Sequence, residues 1–205
     1  PVVAGHAVAL RDVDREVVAA GYDRIAETLA EGVDREKLTA EERRATLDRI
    51  RTETDLAAAV GDADLVIEAV PEDLELKREV HADAEAAAPD GAVLASNTSS
   101  LSITAVAGAL AEPSRFLGLH FFNPVHLMGL VEVVRGERTA PETERRAVAF
   151  VEGLDREPIV VDDSPGFATS RLGVALGAEA IRMVESGVAS APDVDAAMEL
   201  GYNHP

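Results

Sequence analysis

Leu65-Val-Ile-Glu-Ala-Val-Pro71, a run of helical period from Glu72 to Ala87, and Pro89-Asp-Gly-Ala-Val-Leu-Ala-Ser96 together decide the fold. A short apolar run stopped by proline reads as a buried strand, and the 3.6-residue period after it reads as a helix. Pro89-Asp-Gly91 supplies a turn, and Ala92 to Ser96 reads as a second strand. Strand, helix, strand in this order is the crossover that parallel neighbours need.

Upstream, Ala7-Val-Ala-Leu10 is a further strand ending in Arg11-Asp12, followed by a helix from about Asp14 to Glu31. Thr39-Ala-Glu-Glu42 has the form of a capping box and opens a second helix expected to run to about Arg51. Downstream come a short helix from Ile103 to Leu110, strands Phe116 to His120 and Leu130 to Val134, a helix Pro141 to Leu154, and a strand Pro158 to Val161. This alternation predicts an α/β fold with a mostly parallel sheet covered by helices on both faces. After Asp162-Asp-Ser-Pro-Gly166 strands cease: Phe167 to Glu185 and Ala191 to Leu200 read as consecutive helices. The expected division is a sheet domain over residues 1–162 and the start of an all-α domain over 163–205.

The chain of 205 residues is 47% apolar, enough for a packed core, and contains no cysteine, which excludes disulfides, thiolate nucleophiles and cysteine-based zinc sites. Its formal net charge of -19 supplies no basic face for phosphate, so nucleic acid is not an expected partner. The chain has no apolar run of about 18 residues and no signal-like leader, so it is expected to be soluble and cytoplasmic, without a membrane partner. Lys37 and Lys77 are the only lysines. An acidic surface of this kind fits a salt-loving source; a GC-rich genome favouring Ala, Arg, Asp and Glu codons would leave the same trace.

His120-Phe-Phe-Asn-Pro-Val125 places an imidazole and the carboxamide of Asn123 where open α/β sheets bind ligands, past the C-terminal end of a strand. Glu132 follows on the next strand, where its carboxylate could hold one imidazole nitrogen and raise the basicity of the other. A lone histidine of this kind is more often a satisfied core residue. Ala95-Ser-Asn-Thr-Ser-Ser-Leu101 offers hydroxyls and an amide at a neighbouring strand end, or simply a helix cap. Asp12 sits where an acidic residue would hydrogen-bond an adenosine ribose, although aspartate at a strand end also serves turns.

Asn97-Thr-Ser-Ser-Leu101, His120-Phe-Phe-Asn-Pro124, Leu130-Val-Glu-Val133, Asp163-Ser-Pro-Gly-Phe167 and Arg171-Leu172 occur in the order and spacing of the L-3-hydroxyacyl-CoA dehydrogenases. Gly5-His-Ala-Val-Ala-Leu-Arg-Asp12 also resembles that family's second strand, so the resemblance covers essentially the whole chain. It implies oxidation of the 3-hydroxyl of an acyl-CoA to a ketone, with hydride passing to NAD, in fatty-acid β-oxidation or short-chain acyl-CoA metabolism. By resemblance, His120 is the base and Glu132 its partner. Ser99 hydrogen-bonds the reacting oxygen, and Asn123 places substrate and nicotinamide. Asp12, Glu72, Lys77 and Asn97 line the cofactor site. Aspartate at position 12 suggests NAD over NADP, with Arg11 beside it as the contrary sign.

Ser170 stands where many members carry a substrate-contacting asparagine; a shorter hydroxyl leaves that role open. The family's first strand and glycine-rich phosphate loop belong upstream of Val2. The chain is therefore expected to be a Rossmann-like piece of a longer protein, binding NAD poorly by itself. Members usually form homodimers through the helical domain. Related hydroxy-acid or sugar-acid dehydrogenases, crystallin-like relatives and non-catalytic proteins of the same fold are the competing readings.

Overall fold

A computed structural model describes residues 1–204. The chain divides into two compact units, Pro1–Asp163 and Ser164–Pro205. The first unit holds every strand among the described residues. It runs β1 (Val8–Arg11), α1 (Arg15–Asp34), α2 (Ala40–Leu47), β2 (Ile50–Glu53), α3 (Leu56–Val60), β3 (Leu65–Glu68), α4 (Leu74–Ala87) and β4 (Val93–Ser96). It continues with α5 (Ile103–Ala107), β5 (Phe116–Phe121), β6 (Leu130–Arg135), α6 (Pro141–Gly153) and β7 (Glu157–Asp162).

Strands β3-β4-β5-β6-β7 form one sheet in sequence order, while β1 and β2 pair parallel as a separate sheet. β3, β4 and β5 are parallel; β6 runs antiparallel to β5, and β7 parallel to β6. Side chains alternate between the faces of a strand. Leu65, Ile67, Val93, Ala95, Leu117, Leu119, Val131 and Val133 therefore pack together against Ala147 and Val151 of α6. The alternate positions face α4 and α5. There Phe116 meets the His81 ring edge-on, and a Cβ placed on Gly118 would lie 2.8 Å from Ile103 Cδ1 and 2.9 Å from Val134 Cβ. Only a glycine lets α5 sit this close to β5.

Caps fix the helix starts. Asp14 accepts from the Glu16 N–H at 2.6 Å, Asp73 from Leu76 at 2.9 Å, and Ser102 from Ala105 at 3.1 Å. The capping box at Thr39 and Glu42 is formed. The helix it opens stops at Leu47, short of the expected Arg51, because Ile50–Glu53 pairs with Val8–Arg11 as β2. Tertiary pairing overrides the helical propensity of that arginine-rich run. The strand is pinned by Arg51, which donates to the Ala58 and Ala59 carbonyls at 2.8 and 3.1 Å and pairs with Asp62.

The second unit consists of α7 (Thr169–Glu185), α8 (Ala191–Ala196) and a π-helical turn over Ala197–Gly201. α7 begins after the expected Phe167 because Gly166 (φ +74°) and Phe167 (φ 49°) are left-handed. No helix among the described residues is long and apolar enough to cross a membrane.

Candidate active site

Glu68 at the end of β3, Ser96 at the end of β4, His120 on β5 and Glu132 on β6 all take the positions alternate to the α6-facing apolar residues. Sheet register brings them into line: Glu68 pairs with Ser96, Ser96 with Gly118, and His120 with Glu132. Polar side chains thus gather on one face at the C-terminal ends of β3, β4 and β5.

Since β6 is antiparallel to β5, Glu132 stands directly opposite His120, where same-face side chains meet. His120 Nδ1 lies 2.7 Å from Glu132 Oε2. Glu132 is fully buried and His120 is 5% exposed. A buried carboxylate needs a hydrogen-bonding partner, and the tautomer with the proton on Nδ1 provides one. The Phe122 ring packs on the imidazole with centroids 4.4 Å apart. Asn123 follows in an exposed loop, joined to Pro124 by a cis peptide bond.

Glu68 is the centre of a buried polar cluster. Its Oε1 accepts from Lys77 Nζ at 2.8 Å and the Val70 N–H at 2.7 Å; its Oε2 accepts from Ser96 Oγ at 2.7 Å and lies 3.2 Å from His81 Nε2. His81 Nδ1 is buried without a partner, which fits the tautomer whose Nε2–H donates to Glu68. Burial pushes the Glu68 carboxyl up, but hydrogen bonds from His81, Lys77 and Ser96, with the Lys77 charge, outweigh it and hold the pKa at about 2.

Lys77 Nζ also donates to the Val70 carbonyl at 3.1 Å and lies 3.5 Å from Glu72 Oε2. Glu72 in turn binds the loop after β4. Its Oε1 accepts from Thr98 Oγ1 at 2.6 Å, the Ser99 N–H at 3.0 Å, and the Ser100 N–H and Oγ, each at 3.2 Å. Burial opposes ionisation of Glu72, yet these donors and Lys77 keep its pKa below the usual glutamate range. The helix cap in this stretch is Ser102, so Ser99 is left exposed on a loop whose backbone Glu72 fixes. Asn97 Oδ1 accepts from the Phe121 N–H at 2.8 Å, and the Asn97 N–H donates to the Glu68 carbonyl at 2.8 Å, joining this loop to the residue after His120.

Asp163 closes the same region. It accepts from Ser102 Oγ at 2.7 Å, the Ile103 N–H at 3.1 Å and the Thr104 N–H at 2.8 Å. Burial raises its pKa, and these donors lower it by more.

The carboxylate of Asp12 has the chemistry that a ribose diol would need. Asp12, at the end of β1, has one carboxylate oxygen on the Val13 N–H at 2.7 Å, which fixes an acceptor where a ribose diol could donate. The Arg11 guanidinium turns away onto the Thr54 carbonyl at 3.1 Å, so the basic residue beside Asp12 is already engaged. Ser170 lies in the second unit, half-buried in the first turn of α7.

His120, Glu132, Ser99, Asn97, Glu72 and Lys77 fall in one connected region of the first unit. Sequence reasoning passed over Glu68, although an acidic residue inside the otherwise apolar run Leu65–Val70 was the available signal. It also gave Asp163 no role; no local pattern announces a carboxylate that caps a helix sixty residues upstream. A surface hollow lined by Gly129, Val148, Glu152, Arg156 and Pro158 among others includes none of these groups.

Residues 2–164 match the family model described as 3-hydroxyacyl-CoA dehydrogenase, NAD binding domain, and residues 166–205 that of the 3-hydroxyacyl-CoA dehydrogenase C-terminal domain. The chain is 41% identical over 208 residues to the human mitochondrial hydroxyacyl-coenzyme A dehydrogenase; 98% of the chain is covered, and it spans 66% of that protein's length. It is 39% identical over 202 residues to a probable 3-hydroxybutyryl-CoA dehydrogenase of Bacillus subtilis, covering 98% of the chain and 70% of the relative. The crystal structure of (S)-3-hydroxybutyryl-CoA dehydrogenase from Ralstonia eutropha superposes with a TM-score of 0.95 at 36% identity, covering 100% of this chain and 72% of that one.

Proposed function

The chain belongs to the 3-hydroxyacyl-CoA dehydrogenase family, and on that premise we propose that the full-length protein oxidises the 3-hydroxyl of an L-3-hydroxyacyl-CoA to the ketone. NAD, the cofactor of the matched domain, supplies the hydride acceptor when bound. The process served is fatty-acid β-oxidation or short-chain acyl-CoA metabolism. The observation that carries this reading is the buried His120–Glu132 contact at the ligand-binding end of the sheet.

With its Nδ1 proton directed at Glu132, neutral His120 has its basic lone pair on Nε2, which takes the substrate hydroxyl proton as hydride leaves C3. Glu132 stabilises the imidazolium that results and fixes the ring's orientation. In the reverse reduction the same nitrogen returns the proton. Ser99, on the loop anchored by Glu72, donates to the reacting oxygen, and Asn123 orients substrate and nicotinamide. Asp12 binds the adenosine ribose, with Glu72, Lys77 and Asn97 shaping the cofactor side. Ser170 is proposed as a further substrate contact.

Residues 1–162 form the cofactor domain in this reading, and the helices from 163 onward open the domain that receives substrate and pairs two copies. Exposed Leu172, Val174 and Ile181 on α7, between 61% and 73% accessible, support an apolar surface that association would cover. We take the compartment to be the cytoplasm; cell fractionation decides between this and the mitochondrial placement in the human relative's name.

Reduction of acetoacetyl-CoA by NADH, followed by loss of nicotinamide absorbance with the full-length protein, tests the assignment. Turnover is expected, and His120→Ala should lower it by about 100-fold or more. Absence of turnover in the unaltered protein would overturn the reading in favour of a hydroxy-acid or sugar-acid dehydrogenase or a non-catalytic relative. An unchanged rate in His120→Ala would move the base elsewhere.

A further inference from the structure

We propose that Glu68 is a positioning residue, a buried anion that holds both the Ser99 loop and the His120 strand in working register. Only the turnover arm of its test rests on the dehydrogenase reading. The Glu68 side chain is 2% exposed and that of Lys77 is 1% exposed, so neither group meets solvent and their charges compensate each other, with Glu72 as a second, more distant partner of Lys77.

Two chains of contacts leave this pair. One runs from Lys77 to Glu72 and thence to Thr98 Oγ1 and the Ser99 and Ser100 N–H groups. Thr98 Oγ1 itself accepts from the Leu101 N–H at 2.9 Å, so the hydroxyl that binds Glu72 also sets the loop's turn. The other runs from Glu68 Oε2 to Ser96 Oγ, and from the Glu68 carbonyl to the Asn97 N–H, whose side-chain oxygen holds Phe121 beside His120. Both routes end at a group assigned to the reacting oxygen or its proton. Every acceptor position of Glu68 is used, so a neutral amide in its place gives up acceptor sites and leaves the ammonium of Lys77 with Glu72, 3.5 Å away, as its counter-charge.

Hydrogen–deuterium exchange and steady-state kinetics on full-length Glu68→Gln test this role. Exchange at the Ser99 and Ser100 amides should accelerate by about tenfold or more, with Val131 to Val134 amides unchanged. With acetoacetyl-CoA and NADH, kcat should fall by about tenfold or more while KM for acetoacetyl-CoA stays within about threefold, the signature of lost orientation. A folded variant with normal exchange in the 97–101 loop would overturn the proposal. So would acceleration spread evenly over the sheet with kcat unchanged, which marks a purely structural role.

If Glu68→Gln does not fold, Ser96→Ala decides, since it removes a donor to Glu68 Oε2 and leaves the Lys77 charge pair and the direct Glu72 contacts to the loop in place. Loosening confined to the 97–101 loop supports the relay, and an unchanged loop overturns it. Absence of turnover in the unaltered protein sinks the dehydrogenase reading alone, because the exchange arm still decides the role of Glu68.

Discussion

A carboxylate such as Glu68 links the site to solution pH through folding itself. Its pKa is held at about 2, below the ordinary glutamate value of 4.5. The unfolded chain therefore takes up this proton first as the solution is acidified, so stability is fully present above pH 4.5 and is lost as pH falls towards 2. Glu72 and Asp163, also shifted downward, act with the same sign. Urea unfolding measured between about pH 5 and pH 3 should show the midpoint falling on acidification, with a shallower fall in Glu68→Gln. Equal slopes in the two proteins would remove Glu68 from this role. The sequence disclosed the His120–Glu132 pair because each residue lies in a legible strand and register alone brings them together. Lys77 was legible as a lysine in a helix and, by resemblance, as a residue of the cofactor side, but not as the partner of Glu68. Its burial against Glu68 depends on which face of α4 meets β3, a tertiary fact that local pattern does not encode.

Long or strongly patterned elements were legible, and the starts of α1, α2 and α4 are set by caps readable as Asp or Thr, whereas α6 and α7 begin without a side-chain cap. β2 was not, because Ile50-Arg-Thr-Glu53 has a single apolar residue and owes its form to pairing with β1. Nor was α3, whose five residues, Leu56–Val60, fall short of a helical period and rely on Asp55 and Arg51 for capping. The contact of α5 with β5 yields a sharper test. Gly118→Ala would place a methyl within 3.1 Å of both Ile103 and Val134, each fully buried. Overpacking of this kind costs about 1–3 kcal/mol, so the denaturation midpoint should fall accordingly. Trimming Ile103 to Val in the same chain should recover part of the loss. Unaltered stability in Gly118→Ala would mean that α5 can withdraw from the sheet at no cost.

For the molecule as a whole, a formal charge of -19 on 205 residues creates self-repulsion that salt screens. The melting temperature of the full-length protein should accordingly rise in molar KCl; a flat or falling curve would favour codon bias as the source of the acidity. The sheet's one reversed neighbour has another consequence. Pairing from Gly118↔Val134 to Phe121↔Val131 fixes the dyad through backbone register, and past Phe122 and Asn123 the segment from Val125 to Gly129 only closes the hairpin. That segment leaves Val125, Leu127 and Met128 accessible to solvent, so little packing constrains it. The protein thereby separates two kinds of information. The proposed proton-transfer pair is inherited with the architecture, while the loop tip beyond Asn123 is open to insertion, deletion and replacement, a part that selection or an engineer can exchange without rebuilding the site beside it.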